Sequence, residues 1–328
     1  MAAIRGVAQA ALMILASIGP DALSAAYGQT YPSKVIRIVV PTGPGTPPDV
    51  ISRVIGAELS ESDGWRVSIE NRPGALQTIG MADVLKQPAD GYSIYPMSVP
   101  TMAVPALLPN MGLRPDADFT PIIKVSKSYN VLVVPPSFPA RSVSELVSVL
   151  REGPDRFNFS SAGFGTPAHL IGEMFKLQTG ARATHVPYQQ AQQRVADLLN
   201  GTNQFDFLAT VTAADFLATG RLRALAVTAP VRVARLNDVP TVVEQGFPDL
   251  VVEDYVGLAV KSGTSTEITA RLNDAINRAL RKPKVREAFA NLGAEATGGT
   301  SAEFGDLIKA QVAHWGKIVR ESGIKMPQ

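Results

Sequence analysis

From Val35 onward the sequence switches repeatedly between two hydrophobic periods, and proline or glycine marks each switch. Val35-Ile36-Arg37-Ile38-Val39-Val40 is a β-branched run that Pro41 ends, and Pro44, Gly45, Pro47 and Pro48 fill the loop behind it. From Asp49 the apolar residues Val50, Ile51, Val54, Ile55 and Leu59 recur at helical spacing, with Pro48 near the first turn, where a missing N–H costs nothing. The pattern then repeats. Val67-Ser68-Ile69 reads as a strand, Asn71-Arg72-Pro73-Gly74 as a turn, Met81, Ala82, Val84 and Leu85 as a helix face, and Tyr92 to Tyr95 as a strand. Strands alternating with helices restrict the chain to an α/β fold built on mainly parallel sheet.

A second run of this kind starts at Asn130-Val131-Leu132-Val133-Val134. It continues through a helix from Val143 to Leu150, a strand from Arg156 to Phe159, a loop from Ser160 to Pro167 and a helix from Ala168 to Leu177. The strand His185-Val186, the helix Arg194 to Leu199 and the strands Phe205 to Leu208 and Leu222 to Val227 complete it. After Val256 to Val260 only helical patterns are read, at Thr266 to Leu280, Pro283 to Leu292 and Ser301 to Ser322. These runs predict two sheets. No low-complexity linker separates them, so the chain is expected to cross more than once, near Asn130 and Glu253. Residues 27–129 with 253–328 form the first expected domain, and residues 130–252 the second.

The 328 residues suit two ordinary domains, and 45% hydrophobic with 18% charged residues is enough to fill a core. A net charge of +2 without any basic block argues against nucleic acid or an anionic membrane as partner, and points to a small ligand. There is no cysteine, and the three histidines, His169, His185 and His314, are widely spaced, so neither a metal centre nor a catalytic triad is expected. Arg5 precedes an apolar run from Val7 to Ile18, and Ser24-Ala25-Ala26 supplies small residues for cleavage. A membrane span needs ~20 apolar residues, so this segment reads as an export signal, residues 1–26, removed near Ala26.

Two strand-to-helix loops carry the candidate chemistry: Pro41-Thr42-Gly43-Pro44-Gly45-Thr46-Pro47-Pro48-Asp49 and Ser160-Ser161-Ala162-Gly163-Phe164-Gly165-Thr166-Pro167. Glycine lets backbone N–H groups approach a ligand, and a helix N-terminus adds free donors and partial positive charge, so each loop suits an anion. The amides at Gly45 and Gly163 are expected to face it, and Thr46, Ser161 and Thr166 to add hydroxyls, with Thr166 donating to a carboxylate. An ordinary turn-and-cap reading stands beside this one. The loops also partly match a dinucleotide fingerprint, Gly43-x-Gly45-x-x-Pro48 and Gly163-x-Gly165-x-x-Ala168, with Glu70 as a ribose-binding acid. Pro48 replaces the third glycine and Phe164 crowds a pyrophosphate, which weakens that reading. No Gly-x-Ser-x-Gly elbow occurs, His169 reads as a packed helix residue outside recognition, and Asp49 as an acid serving its own helix N-terminus. Arg72 reads as an exposed turn residue, and Trp65 and Trp315 as packing residues.

Together with these loops, the stretches Tyr31-Pro32-Ser33-Lys34, Glu70-Asn71-Arg72-Pro73-Gly74-Ala75, Asp90-Gly91-Tyr92, His185-Val186-Pro187-Tyr188, Leu222 to Thr228 and Asp238-Val239-Pro240-Thr241 resemble the Bug-type substrate-binding proteins of tripartite tricarboxylate transporters. The resemblance covers nearly the whole mature chain. It implies a periplasmic receptor of type II-like, two-domain binding fold, closing on a carboxylated metabolite and passing it to a membrane permease, with no catalytic residue and no cofactor. Carried over by position, the ligand loops fall at Pro44 to Thr46, Ser98 to Thr101 and Ser161 to Thr166. The candidate ligand residues are Pro44, Gly45, Thr46, Ser98, Thr101, Ser161, Gly163, Phe164, Gly165, Thr166 and Thr210. This chain departs from the family pattern at Pro47-Pro48, at Gln189-Gln190 and at Phe207 to Thr210. Met97, Val99, Phe164 and Thr210, as neutral walls, suit a dicarboxylate with an alkyl or aromatic spacer. A monomer is expected. The alternatives are an NAD(P)-dependent oxidoreductase using both glycine loops, and a receptor that feeds a sensor kinase.

Overall fold

In the computed structural model, which describes residues 31–153 and 156–326, the strands fall into two sheets within the unit that begins at Val35. The export signal lies outside the described residues. β1 (Ile36–Val40), β2 (Val67–Asn71) and β3 (Ser93–Met97) alternate with α1 (Pro47–Asp63) and α2 (Thr78–Lys86), and α3 (Val99–Leu107) follows. β1 pairs in parallel with both β2 and β3. The long strand β4 (Phe119–Ser128) belongs to the same sheet, and the chain then enters the second sheet at β5 (Asn130–Val134).

There α4 (Val143–Glu152), β6 (Asn158–Ser161), α5 (Pro167–Thr179), β7 (Thr184–Pro187), α6 (Ala191–Leu199), β8 (Phe205–Ala209), α7 (Thr210–Ala218) and β9 (Arg223–Val227) follow in order. β10 (Asp254–Lys261) returns to the first sheet, and α8 (Thr266–Leu280), α9 (Pro283–Asn291), the two-residue β11 (Glu295–Ala296) and α10 (Ser301–Ser322) end the chain. The strand orders are β11-β4-β10-β3-β1-β2 and β7-β6-β8-β5-β9.

The expected α/β architecture with two sheets is present, but the sheets are mixed where mainly parallel ones were expected. The cause is the crossings. β5 and β10 are the strands that enter a sheet coming from the other one, and each runs antiparallel to the neighbours on both its sides. The loops that follow β1 and β6 stay in the parallel portions, so both open at the carboxyl ends of parallel strands, the edge where α/β sheets place ligands.

Side-chain alternation along β5 divides the interior. Leu132 and Val134 face a core shared with Val39, Tyr95 and Met97 of the first sheet and Phe159 and Phe205 of the second. Val131 and Val133 face a smaller cluster with Leu208, Val227, Leu198 of α6 and Ala213 of α7. Each fully buried side chain of this size contributes about 1.5–3 kcal/mol relative to exposure. Trp315 is buried in the shared core, as the sequence pattern implied, and Trp65 is nearly so.

α10 is tied at its start by a reciprocal cap, in which Thr300 accepts from the Glu303 amide and Glu303 from the Thr300 amide. It packs on α3 and β4 from the first-sheet part of the chain and on α5 from the second-sheet part. No helix among the described residues is long and apolar enough to cross a membrane.

Candidate functional site

The loop between β1 and α1 and the loop between β6 and α5 share one hydrogen-bond design. In the first, the Thr46 hydroxyl donates to the Gly43 carbonyl at 2.8 Å and the Gly45 amide donates to Asp49 Oδ2 at 2.9 Å. In the second, the Thr166 hydroxyl donates to the Gly163 carbonyl at 2.7 Å and the Gly165 amide donates to His169 Nδ1 at 2.9 Å. Gly45 and Gly165 have φ of +82° and +69°, a backbone region that strains any residue with a Cβ.

This geometry corrects two expectations. The amides of Gly45 and Gly165 are turned toward their own helices, and the Gly163 amide donates to Ser161 Oγ at 3.1 Å, so the glycine N–H groups are not aimed outward at an anion. Thr166 likewise gives its hydroxyl proton to Gly163 and keeps only acceptor capacity for a ligand. The reason is local. A left-handed glycine curls the loop back so that its N–H meets the side chain one turn into the helix.

What each loop can still present is the start of its helix, whose first N–H groups have no intrahelical partner. α1 begins with Pro47 and Pro48, neither of which has an N–H, and its third position is Asp49. α5 begins with a single proline, Pro167, so the amides of Ala168 and His169 remain. Charge separates the loops further. Asp49 is buried, which by itself raises its pKa, but bonds from Arg53, the Gly45 amide and Asn71 outweigh that and hold the carboxyl below its usual range. His169 is buried with Lys176 nearby, and its pKa is lowered to about 4. The first loop therefore ends on an anion and the second on a neutral ring.

His185 completes the second loop's support. Its ring stacks on His169 with centroids 3.9 Å apart, its Nε2 lies 2.6 Å from Ser161 Oγ, and Phe164 sits edge-on over both rings. Burial, then the neighbouring His169, Lys176 and Arg194, lower its pKa to about 3. His169, which the sequence placed outside recognition, and His185 thus lie directly beneath the loop. Two of the nearby cations are committed elsewhere. Lys176 donates to Glu173 at 2.9 Å, and Arg194 donates to the buried Asp206 at 2.7 Å.

Facing this loop from the first-sheet part is a segment with unusual backbone. Ala75, Leu76 and Gln77 have φ of 44°, 54° and 73°, three consecutive non-glycine residues in the left-handed region, at a cost of order 1–3 kcal/mol each. The segment is pinned on several sides. Thr78 donates its hydroxyl to the Ala75 carbonyl at 2.6 Å, Tyr95 donates to the Gln77 carbonyl at 3.2 Å, and the Thr101 hydroxyl donates to Gln77 Oε1 at 2.8 Å. Leu76 reaches the second loop, since a Cβ built on Gly165 would lie 2.6 Å from Leu76 Cδ2 and 3.3 Å from Leu107 Cδ1.

The predicted residues therefore divide. Ser161, Gly163, Phe164, Gly165 and Thr166 come together with Leu76 and Leu107 across from them. Ser98 and Thr101 are buried at the start of α3 with Gln77. Pro44 and Gly45 are exposed and Thr46 is half-buried. Thr210 lies apart, its amide on the Tyr129 carbonyl and its hydroxyl on the Gly293 carbonyl, at the point where the chain changes sheets. Met97 and Val99, expected as cleft walls, pack in the shared core. Leu76, Gln77 and His185 were missed. The signal that marks the first two is structural, since left-handed φ at Leu and Gln has no sequence signature.

Two α/β sheets joined by strand crossings, with matched loops opening at the carboxyl ends of parallel strands, define a bilobal binding protein of the periplasmic type. The chain belongs to the family described as tripartite tricarboxylate transporter family receptor, which it matches over residues 51–324. It is a Bug-type receptor. It is 33% identical over 299 residues to protein BugT of Bordetella pertussis, covering 90% of this chain and 92% of that one. Among solved structures it is similar to one described as a periplasmic transporter, with a TM-score of 0.79 and 35% identity over 90% of this chain and 99% of the other. It is also similar to R. palustris Rpa4515 with adipate, with a TM-score of 0.78 and 32% identity over 90% of this chain and 99% of that one. These matches lend the oxidoreductase alternative no support.

Proposed function

We propose that this protein is a periplasmic solute receptor that captures a small carboxylate, a dicarboxylate with an alkyl or aromatic spacer, and delivers it to the permease of a tripartite tricarboxylate-type transporter. The observation that carries this reading is the second loop, where two backbone N–H groups at the start of α5 stand over a neutral His169 while Lys176 and Arg194 are already paired. Such a site holds one carboxylate through neutral donors and closure. Adipate in the similar Rpa4515 structure supports the ligand class.

Residues 27–129 with 253–328 act as one lobe and 130–252 as the other, and closure between them buries the ligand. The receptor acts as a monomer and performs no chemistry. Ser161 and His185 do not amount to a nucleophile and base. The Ser161 hydroxyl is enclosed and also bonded to the Gly163 carbonyl, and the buried Nδ1 of His185 has no orienting partner. Removal of the signal near Ala26 accompanies export, and mass spectrometry should find an N-terminus within a few residues of Tyr27.

The direct test is thermal unfolding with succinate, adipate, phthalate and NAD. A ligand at 100 times its Kd stabilises by about 2.7 kcal/mol, so a bound dicarboxylate should raise Tm clearly while NAD leaves it unchanged. Stabilisation by NAD and by none of the carboxylates would overturn the reading.

A further inference from the structure

We propose that Gln77 is the side chain through which the first-sheet lobe reads the ligand carboxylate, and that Ser98 and Thr101 are positioning residues that aim it. This rests on the receptor reading above and names a specificity determinant of the same cleft.

The first glycine loop is poorly equipped for the task. Pro47 and Pro48 remove two of its helix N–H donors, and Asp49 supplies a negative charge in their place. A donor from that lobe must come from elsewhere. The left-handed segment places Leu76 on Gly165 of the opposite loop, and Gln77 is the next residue along it.

The orientation of the carboxamide follows from its partners. The Ser98 amide donates to Thr101 Oγ1 in the capping box of α3, so the Thr101 hydroxyl proton is directed to Gln77 Oε1 at 2.8 Å. Ser98 lies 3.3 Å from both ends of the carboxamide and takes one N–H of Nε2. The amide is therefore anchored by its oxygen, and its second N–H makes no hydrogen bond on a side chain that is only half-buried. A neutral, anchored N–H donor on the segment that meets the second loop fits a second carboxylate of the ligand. Ser98 and Thr101, expected from the resemblance as ligand residues, act one step behind it. Retention of three left-handed non-glycine residues is then accounted for, because an extended or helical backbone at Gln77 would aim the amide elsewhere.

The test compares variants of the purified full-length receptor by calorimetric titration with adipate, with succinate and phthalate run in parallel. Gln77→Glu keeps the shape, removes the donor and adds like charge, and should lower adipate affinity about 10- to 100-fold. Gln77→Gly should raise the Tm of the unliganded protein, because glycine relaxes the left-handed backbone, while lowering affinity by a similar factor; a purely structural role would not move the two in opposite directions. Thr101→Val should weaken binding in the wild type, Thr101→Ser should restore it, and Thr101→Val should add nothing to Gln77→Gly. If the wild type binds adipate and both Gln77 variants bind it equally well, this inference is overturned alone. If the folded wild type binds none of the three acids, the receptor reading beneath it is overturned.

Discussion

The loops Gly43 to Asp49 and Gly163 to His169 carry the same wiring and opposite chemistry. In both, a threonine hydroxyl closes on a glycine carbonyl and a left-handed glycine gives its amide to the side chain four residues on. That acceptor is a carboxylate in one loop and a neutral imidazole in the other. The shared wiring is a backbone solution for turning a strand into a helix. The two loops differ in what occupies the acceptor position and in how many prolines precede it. A glycine-rich loop at a helix start is thus a shape first, and an anion site only where its neighbours leave donors and charge in the right balance.

The comparison breaks most decisively at the glycines. Gly165→Val meets Leu76 and Leu107 as well as an unfavourable φ, and should cost about 2–4 kcal/mol in stability or in closure, read as a lowered Tm or a loss of adipate affinity of 30-fold or more. Gly45→Val has open space around the new side chain and should cost only the backbone strain, about 1–2 kcal/mol in stability, with affinity nearly unchanged. Equal loss of affinity in the two variants would return the first loop to the ligand site.

Exchanging the acceptors sharpens the contrast. His169→Asp gives the second loop the charge of the first and should weaken dicarboxylate binding by about 2–3 kcal/mol, since like charges a few ångströms apart in a partly desolvated site repel on that scale. Undiminished affinity at neutral pH would show that the carboxylate does not sit there.

Titration separates the loops next. Both His169 and His185 have folded pKa values depressed from 6.5, to about 4 and about 3, so the unfolded chain binds protons that the folded one refuses. Their contribution is complete above pH ~6.5 and declines as pH falls toward the folded values, by about 2 kcal/mol for His169 between pH 7 and pH 5. Asp49, with its pKa held below 3.8, adds no slope in that window. Asp254, pushed up to about 6 by burial, works in the opposite sense. The informative measurement is therefore denaturant unfolding at pH 7 and pH 5 for wild type and His169→Gln, where the variant should lose less.

The smallest effect is the shared one. Thr46→Val and Thr166→Val each remove a hydroxyl bonded to a loop carbonyl, and each should cost about 0.5–1.5 kcal/mol in chemical denaturation. A cost at one threonine only would mean that the common wiring is not equally important to both helices.

Much of this architecture was readable from periodicity. The β-branched run at Val35 to Val40 and the helical spacing from Val50 to Leu59 produced β1 and α1, and both glycine loops were located correctly. β4 was missed because Phe119 to Ser128 mixes Pro121 with lysines and serines and shows no clean alternation. α3 was missed because its helix contains Pro100 and Pro105 and is buried nearly all round, so no polar face reveals its period. In the site, residue types and spacing found the loops, but the inward turn of the Gly45 and Gly165 amides depends on backbone angles. The stacking of His169 on His185 depends on β6 and β7 lying side by side, which no local pattern records.

The last helix has a mechanical meaning. α10 lies against α3 and β4 on one side and α5 on the other, and Ser322 to Lys325 border a recess of about 250 Å³ with Phe164, Lys176 and His185. The helix therefore bridges elements of the first-sheet and second-sheet parts of the chain. Trp315 and Ile318 are buried beneath it, so any movement that lifts the helix away would expose them to water. The end of α10 thus rests against the very residues that support the second loop.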